Sequence, residues 1–117
     1  MKTYAPNSPE RRDLSNALKR VRSEVVEVPC VINGKEIFTG KVVEQVIPSD
    51  HRHVVARLHQ AGPKELTMAI DAALSVRRDW DAMPLHHRGQ IFRKAADLIS
   101  TTYRPYMNAV TMLGTAK

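Results

Sequence analysis

The sequence predicts an α+β fold in which one helix and a four-stranded antiparallel ribbon precede three further helices. Three observations support this prediction. A helix-start signal precedes apolar residues at spacings of three and four, β-branched runs joined by tight turns fill residues 25–60, and helical spacing returns in residues 63–117. The length of 117 residues suits one domain of ordinary size.

The first element is a helix over residues 9–24. Ser8 can cap it, Pro9 fits its first position, and Glu10 favours the positive end of the helix dipole. The apolar stripe of this helix consists of Leu14, Leu18, Val21 and Val25. We expect this helix to lie on the surface of a larger body.

Strands are predicted over residues 27–60. The dipeptide Asn33-Gly34 is typical of a two-residue hairpin turn between β-branched residues 25–32 and a returning strand over 35–39. A second pair is predicted over 41–47 and 54–59, joined by a turn at 48–51. Strands joined so tightly exclude a Rossmann βαβ unit here.

Three helices are predicted over residues 63–114. Gly62-Pro63 begins the first helix, which ends near Met83, and Pro84 begins the second. Pro105 begins the third, which ends at Gly114.

Composition excludes several classes of protein. One Cys permits neither an internal disulfide nor a Cys-based zinc site, and five scattered Gly form neither GxGxxG nor a P-loop. Apolar runs are shorter than the roughly 20 residues of a membrane span. The net charge of +6 raises nucleic acid as a partner, but aromatic residues are only 5%. We expect a solvated basic surface, with neither nucleic acid nor membrane as partner.

The N-terminus has neither a secretory core nor an Arg-rich leader. We expect either that the protein is not targeted by such a leader or that the leader lies outside this sequence.

Cys30 is the obvious candidate for a nucleophile. A working thiolate needs a base or a positive environment, whereas Cys30 lies in a Val-rich strand, where Cys behaves as a small apolar residue. We therefore interpret Cys30 as structural.

Histidines offer a second candidate site. His51 and His53 have the H-x-H spacing that can place two imidazoles on one zinc ion, and His59 shares their strand parity. Further ligands would have to come from elsewhere, and Arg52 and Arg57 disfavour a cation. We interpret these histidines as one turn residue and solvent-facing strand positions.

The other candidates lie on the predicted helices. His86-His87-Arg88 could bind an anion at a helix N-terminus, but we favour surface histidines with Arg88 in a structural pair. The carboxylates are interpreted as exposed helix-face groups: Asp71 with Arg78 or Ser75, Asp79, Asp81, and Asp97 with Arg93 or Lys94. We predict that the chain holds no catalytic, cofactor-binding or metal-ligating residue.

Together these features resemble the N-terminal segment of the aldehyde dehydrogenase superfamily. The resemblance is carried by the NGK hairpin, the PxDH turn and the helix pair A…W…P…R…I…KAADLI. The SPER helix, the VPCVING strand and the closing TMLGTAK are most similar to mitochondrial-type delta-1-pyrroline-5-carboxylate dehydrogenases. The resemblance covers essentially all 117 residues, although Ala116 stands where relatives tend to have Gly.

The resemblance implies a homo-oligomeric enzyme of the mitochondrial matrix that oxidises L-glutamate gamma-semialdehyde to glutamate with NAD in proline breakdown. It places the Cys nucleophile, the acid that activates water and the NAD-binding motifs beyond Lys117, so Cys30 does not inherit the role of nucleophile. Residues 1–117 would be an incomplete part of the NAD-binding domain, inactive alone. They would pack against the remainder of the same polypeptide or against an intact subunit.

Two alternatives stay open on the sequence. The chain could be a small basic binding module without catalysis, or a truncated regulatory isoform that associates with the full-length enzyme.

Overall fold

The structure is a computed structural model that describes residues 3–116. In that part of the chain, one helix precedes five strands and three helices follow them, an α+β arrangement as predicted. The elements are α1 (Pro9–Ser23), β1 (Val26–Val28), β2 (Cys30–Ile32), β3 (Lys35–Ile37), β4 (Val42–Ile47), β5 (Asp50–His59), α2 (Pro63–Ala82), α3 (Leu85–Ser100) and α4 (Arg104–Thr115). Among these described elements, no helix combines the length and apolarity needed to cross a membrane.

Helix α1 begins where its capping residue predicts. Ser8 has an extended backbone, and its Oγ accepts a hydrogen bond of 3.3 Å from the backbone N–H of Arg11. Pro9 occupies the first helical turn, where its missing N–H costs nothing. Val21, from the predicted stripe, is buried, whereas Val25 is exposed.

The strands form two sheets, so the predicted four-stranded antiparallel ribbon is wrong. One sheet has the order β1-β5-β4, in which β1 runs parallel to β5 and β4 runs antiparallel to it. The other is the hairpin of β2 and β3. Pro29 separates β1 from β2, since it has no N–H to give to a ladder. The chain can therefore change sheets at that residue.

The two hairpin turns agree with the sequence prediction to different degrees. Asn33 and Gly34 have φ values of 51° and 71°, which are those of the predicted two-residue hairpin turn, and Ile32 lies opposite Lys35. The second turn is shorter than predicted, because Ile47 pairs with Asp50 and β5 begins there. Register shifts between residues 45 and 47 absorb the extra residues of β5.

The core lies where α1 and α4 pack on the three-stranded sheet. Its buried apolar residues are Val21, Ile47, Val55 and Ala109. Neither α2 nor α3 buries a residue along its described length. The molecule is accordingly open, with a radius of gyration of 18.1 Å, where a compact domain of this length has about 13 Å.

Candidate functional site

A polar cluster is built around His59, at the end of β5. Its side chain is only 9% exposed. The Gly40 N–H donates to its Nδ1 at 3.1 Å, so in the neutral ring the proton is assigned to Nε2, which donates to Glu27 Oε2 at 3.2 Å. The ring of Phe38 stands edge-on to it, with centroids 5.1 Å apart. His59 thus connects β1 with the segment between β3 and β4.

A row of three charges crosses the sheet beside His59. Arg57 lies opposite both Glu27 and Glu44 in the strand register. Its Nη1 is 3.6 Å from Glu27 Oε1, and its Nε donates to Glu44 Oε1 at 3.2 Å. All three side chains are about half exposed, so each pair contributes little energy alone. The two contacts are consistent with the register of β1 and β4 on β5, in which Arg57 faces both carboxylates.

Cys30 is half-buried on β2. Its Sγ donates to the carbonyl oxygen of His59 at 3.1 Å, across the gap between the two sheets. This contact gives the thiol a backbone acceptor, which is a structural arrangement and not that of a nucleophile beside its base.

The three histidines of β5 do not share one environment. His51 is exposed, whereas the His53 Nε2 donates to the carbonyl oxygen of Arg22 at 2.7 Å and His59 is enclosed. The interpretation of all the strand histidines as solvent-facing is therefore wrong, because the register shifts of β5 break the simple alternation. Within residues 3–116, no three His, Cys, Asp or Glu side chains are grouped closely enough to hold a metal ion.

The helix candidates are largely exposed. The rings of His86 and His87 lie 4.2 Å apart at the start of α3. Arg88, which was expected to form a structural pair, lies over the ring of Trp80 at 5.9 Å.

Among the carboxylates of α2 and α3, Asp81 pairs with Arg77 at 3.8 Å. The pairs expected for Asp71 and Asp97 are absent from the ion pairs of the described residues; Asp71 instead lines a concavity between α2 and the β2–β3 hairpin, and the carbonyl oxygen of Asp97 accepts from Thr101. Asp79 uses its carbonyl oxygen for the N–H of Met83.

The turn from β5 into α2 is where a dinucleotide phosphate would sit in a nucleotide-binding unit. Here the Glu65 carboxylate accepts the Gly62 N–H at 2.9 Å, and Pro63 has no N–H to offer. Backbone hydrogen bonds from Gly62 and Glu65 itself hold the pKa of this carboxyl below its ordinary value. Because a negative charge already occupies the start of α2, this turn is not arranged to receive a phosphate. Glu65, three residues after Gly62, is a helix-start signal readable from the sequence, in addition to Gly62-Pro63.

The family assignment follows from comparison with known proteins. The chain belongs to the aldehyde dehydrogenase family, whose model matches residues 37–114. More particularly, it is similar to delta-1-pyrroline-5-carboxylate dehydrogenases. It is 44% identical over 117 residues to a probable enzyme of that name from Schizosaccharomyces pombe, covering 99% of this chain and 21% of the relative. It is 41% identical over 114 residues to the human mitochondrial enzyme, covering 97% and 20%.

The fold agrees with this relationship. The crystal structure of the Mycobacterium tuberculosis delta-pyrroline-5-carboxylate dehydrogenase bound with NAD matches 96% of this chain with a TM-score of 0.90 and 34% identity. The matched region is 21% of that protein. The resemblance drawn from the sequence motifs is confirmed, and the chain spans about a fifth of the length of these relatives.

Proposed function

We propose that this chain is the N-terminal part of the NAD-binding domain of a dehydrogenase that oxidises L-glutamate gamma-semialdehyde to glutamate with NAD in proline breakdown. The observation that carries the proposal is the similarity across nearly the whole chain, in sequence and in fold, to proteins of that name. Structures of the relatives from Mycobacterium tuberculosis and from Thermus are bound with NAD, which supports NAD as the cofactor of the whole enzyme.

The contribution of residues 1–117 to that enzyme is structural. Its candidate nucleophile, Cys30, donates to a backbone carbonyl, and the start of α2 is occupied by Glu65. The catalytic residues and the NAD site therefore lie, in this proposal, in the remainder of the polypeptide. The exposed apolar faces of α2 and α3 pack against that remainder.

Location and assembly follow the relatives. The proteins from Dictyostelium discoideum, mouse and human are named mitochondrial. We propose the mitochondrial matrix as the compartment and a homo-oligomer as the working form of the whole enzyme.

The experiment is to express the complete reading frame and the 117-residue chain separately and to follow NADH formation with gamma-semialdehyde as substrate. We expect activity from the complete polypeptide and none from the short chain. A complete polypeptide that folds and binds NAD but leaves this aldehyde unoxidised would contradict the proposed substrate. Activity in the short chain would contradict its structural role.

A further inference from the structure

We propose that Arg88 binds a carboxylate side chain supplied by the part of the same polypeptide beyond residue 117. The contact surface is the Arg88 patch, which we define as Trp80, Leu85, Arg88, Ile91 and Phe92. The inference rests on the proposed function in one respect, namely that the polypeptide continues.

The first observation is an unsatisfied N–H group, the Nε of the Arg88 guanidinium. The Arg88 Nε is buried and has no hydrogen-bond partner among the described residues. The guanidinium carbon lies 5.9 Å from the centre of the Trp80 ring, whose other neighbour is Phe92, with ring centroids 6.3 Å apart. A buried donor without an acceptor is unfavourable, because it has lost water and gained nothing in exchange.

Arg88 differs in this respect from other arginines of the molecule. Arg22, Arg57 and Arg77 each have a carboxylate within 4 Å, and the side chain of each is about half exposed or more. Arg88 is more enclosed than these three and lacks a carboxylate among the described ion pairs. The more enclosed arginine therefore has the greater need of an anionic partner.

The second observation is the apolar surface around it. Leu85 is 77% exposed, Ile91 51% and Phe92 64%. Leu85 and Ile91 lie three residues before and after Arg88, and Phe92 lies four after, so all belong to one side of α3. Large apolar side chains that are exposed side by side mark a surface that contacts another segment or molecule.

These observations determine the chemistry of the covering segment. Covering the apolar side chains also removes water from the terminal nitrogens of Arg88. A charge desolvated in this way needs an acceptor at close range, and the planar fork of arginine matches a carboxylate with two parallel hydrogen bonds. The covering segment must therefore bring an Asp or Glu together with apolar residues.

The occupant is the continuation of the same polypeptide. Relatives similar over the whole chain are about five times as long, since the chain covers 21% of them. The accessible surface of 9178 Å² also exceeds the roughly 6,400 Å² of a compact protein of 13.2 kDa. This excess of accessible surface is as large as the surface that a large intramolecular contact would bury.

The experiment uses the complete polypeptide. A photo-crosslinking amino acid placed at Leu85 identifies the segment that covers the patch, and each Asp or Glu of that segment is changed to its amide. Each amide variant is combined with R88Q, and the free energy of unfolding is measured in urea for singles and doubles. R93Q, which changes an exposed arginine of the same helix, is the matched control.

We expect R88Q to lower the ratio of folded to unfolded protein about tenfold, and R93Q to change it little. One acidic residue should give a similar loss, and the double variant should lose no more than either single change. If R88Q does not fold, R88K keeps the charge without the fork and should still show the coupling. Crosslinks confined to residues 3–116, equal effects of R88Q and R93Q, or additive losses for every acid would overturn the inference.

The outcome is separable from that for the proposed function. An active dehydrogenase without coupling at Arg88 contradicts only this inference. Coupling in a polypeptide that does not oxidise the semialdehyde contradicts only the proposed substrate.

Discussion

Glu65 decides what the start of α2 can bind. Its carboxylate takes the N–H of Gly62, and with Pro63 at the next position the helix start has little left to offer to an external anion. A helix that follows a strand is often a phosphate site, yet here the chain supplies its own anion. The chemistry of this turn is therefore that of a self-capped structural helix.

This cap predicts a pH dependence. Backbone hydrogen bonds lower the pKa of Glu65 from its ordinary value of about 4.5, so the folded state favours the ionised form. The stabilisation is present above that ordinary value and is lost as the pH falls through the lower pKa of the folded state. In the complete polypeptide with isotope-labelled glycine, the Gly62 amide resonance should titrate with a midpoint below 4.5.

The control for this titration is E65Q, which keeps a hydrogen-bond acceptor and removes the titrating group. In that variant the Gly62 resonance should not move over the same pH range. A midpoint at or above 4.5 in the unmodified protein would contradict the hydrogen-bonded cap.

At the residue scale, the sequence predicts what is decided by neighbours along the chain. The Ser8 cap and the Asn33-Gly34 turn need only three or four consecutive residues, and the structure has both. The environment of His59 depends on Glu27 and Gly40, which are 32 and 19 residues away. No local pattern carries that information, so the interpretation of His59 as solvent-facing failed.

At the element scale, the helices depend on neighbouring residues and were predicted, whereas the three-stranded sheet depends on distant residues and was not. Helices α2, α3 and α4 begin within one residue of their predicted starts, since Pro63, Pro84 and Pro105 mark them. The sheet was mispredicted because β1 pairs in parallel with β5, about 30 residues further on. Consecutive strands with short turns favour antiparallel neighbours, and only the break at Pro29 could have indicated a change of sheet.

Gly34 in the β2–β3 turn and Gly89 in α3 should respond in opposite directions to substitution by Ala. Gly34 has a φ of 71° in the hairpin turn, so Gly34→Ala forces a residue with a Cβ into the left-handed region, at a cost of about 1–2 kcal/mol. Gly89 lies within α3, and a Cβ there would meet nothing within 4 Å. Gly89→Ala should stabilise the protein by about 0.5–1 kcal/mol.

Urea unfolding of the complete polypeptide measures both changes. The two variants add the same methyl group. Changes of opposite sign in the free energy of unfolding would therefore be caused by the different backbone conformations of the two positions. If Gly34→Ala proved neutral, the left-handed turn between β2 and β3 would be contradicted.

At the scale of the whole molecule, the chain has too little interior for its length. Among residues 3–116, four apolar residues are buried, whereas α2 exposes large side chains at helical spacing, such as Leu66, Ile70 and Leu74, and α3 exposes others. The helices form because their caps and periodicity favour them, but nothing within residues 3–116 covers these faces. The helices can therefore be predicted from this sequence, whereas the surface that covers their apolar faces cannot be found among the described residues.

This imbalance predicts the behaviour of the isolated 117-residue chain. Exposed apolar stripes on α2 and α3 should drive it to self-associate or to lose fixed packing. Burial of apolar surface is favourable by about 25 cal/mol for each Å², and in the isolated chain these stripes can be buried only between copies. Sedimentation velocity should show species larger than 13.2 kDa, growing with concentration. Replacing Leu74 and Ile70 by Gln should reduce association, whereas Gln at the exposed Lys64 and Arg78 should not. A monomeric mass together with a cooperative thermal transition would show that these faces need no cover, and would remove the main physical reason for assigning the chain to a larger enzyme.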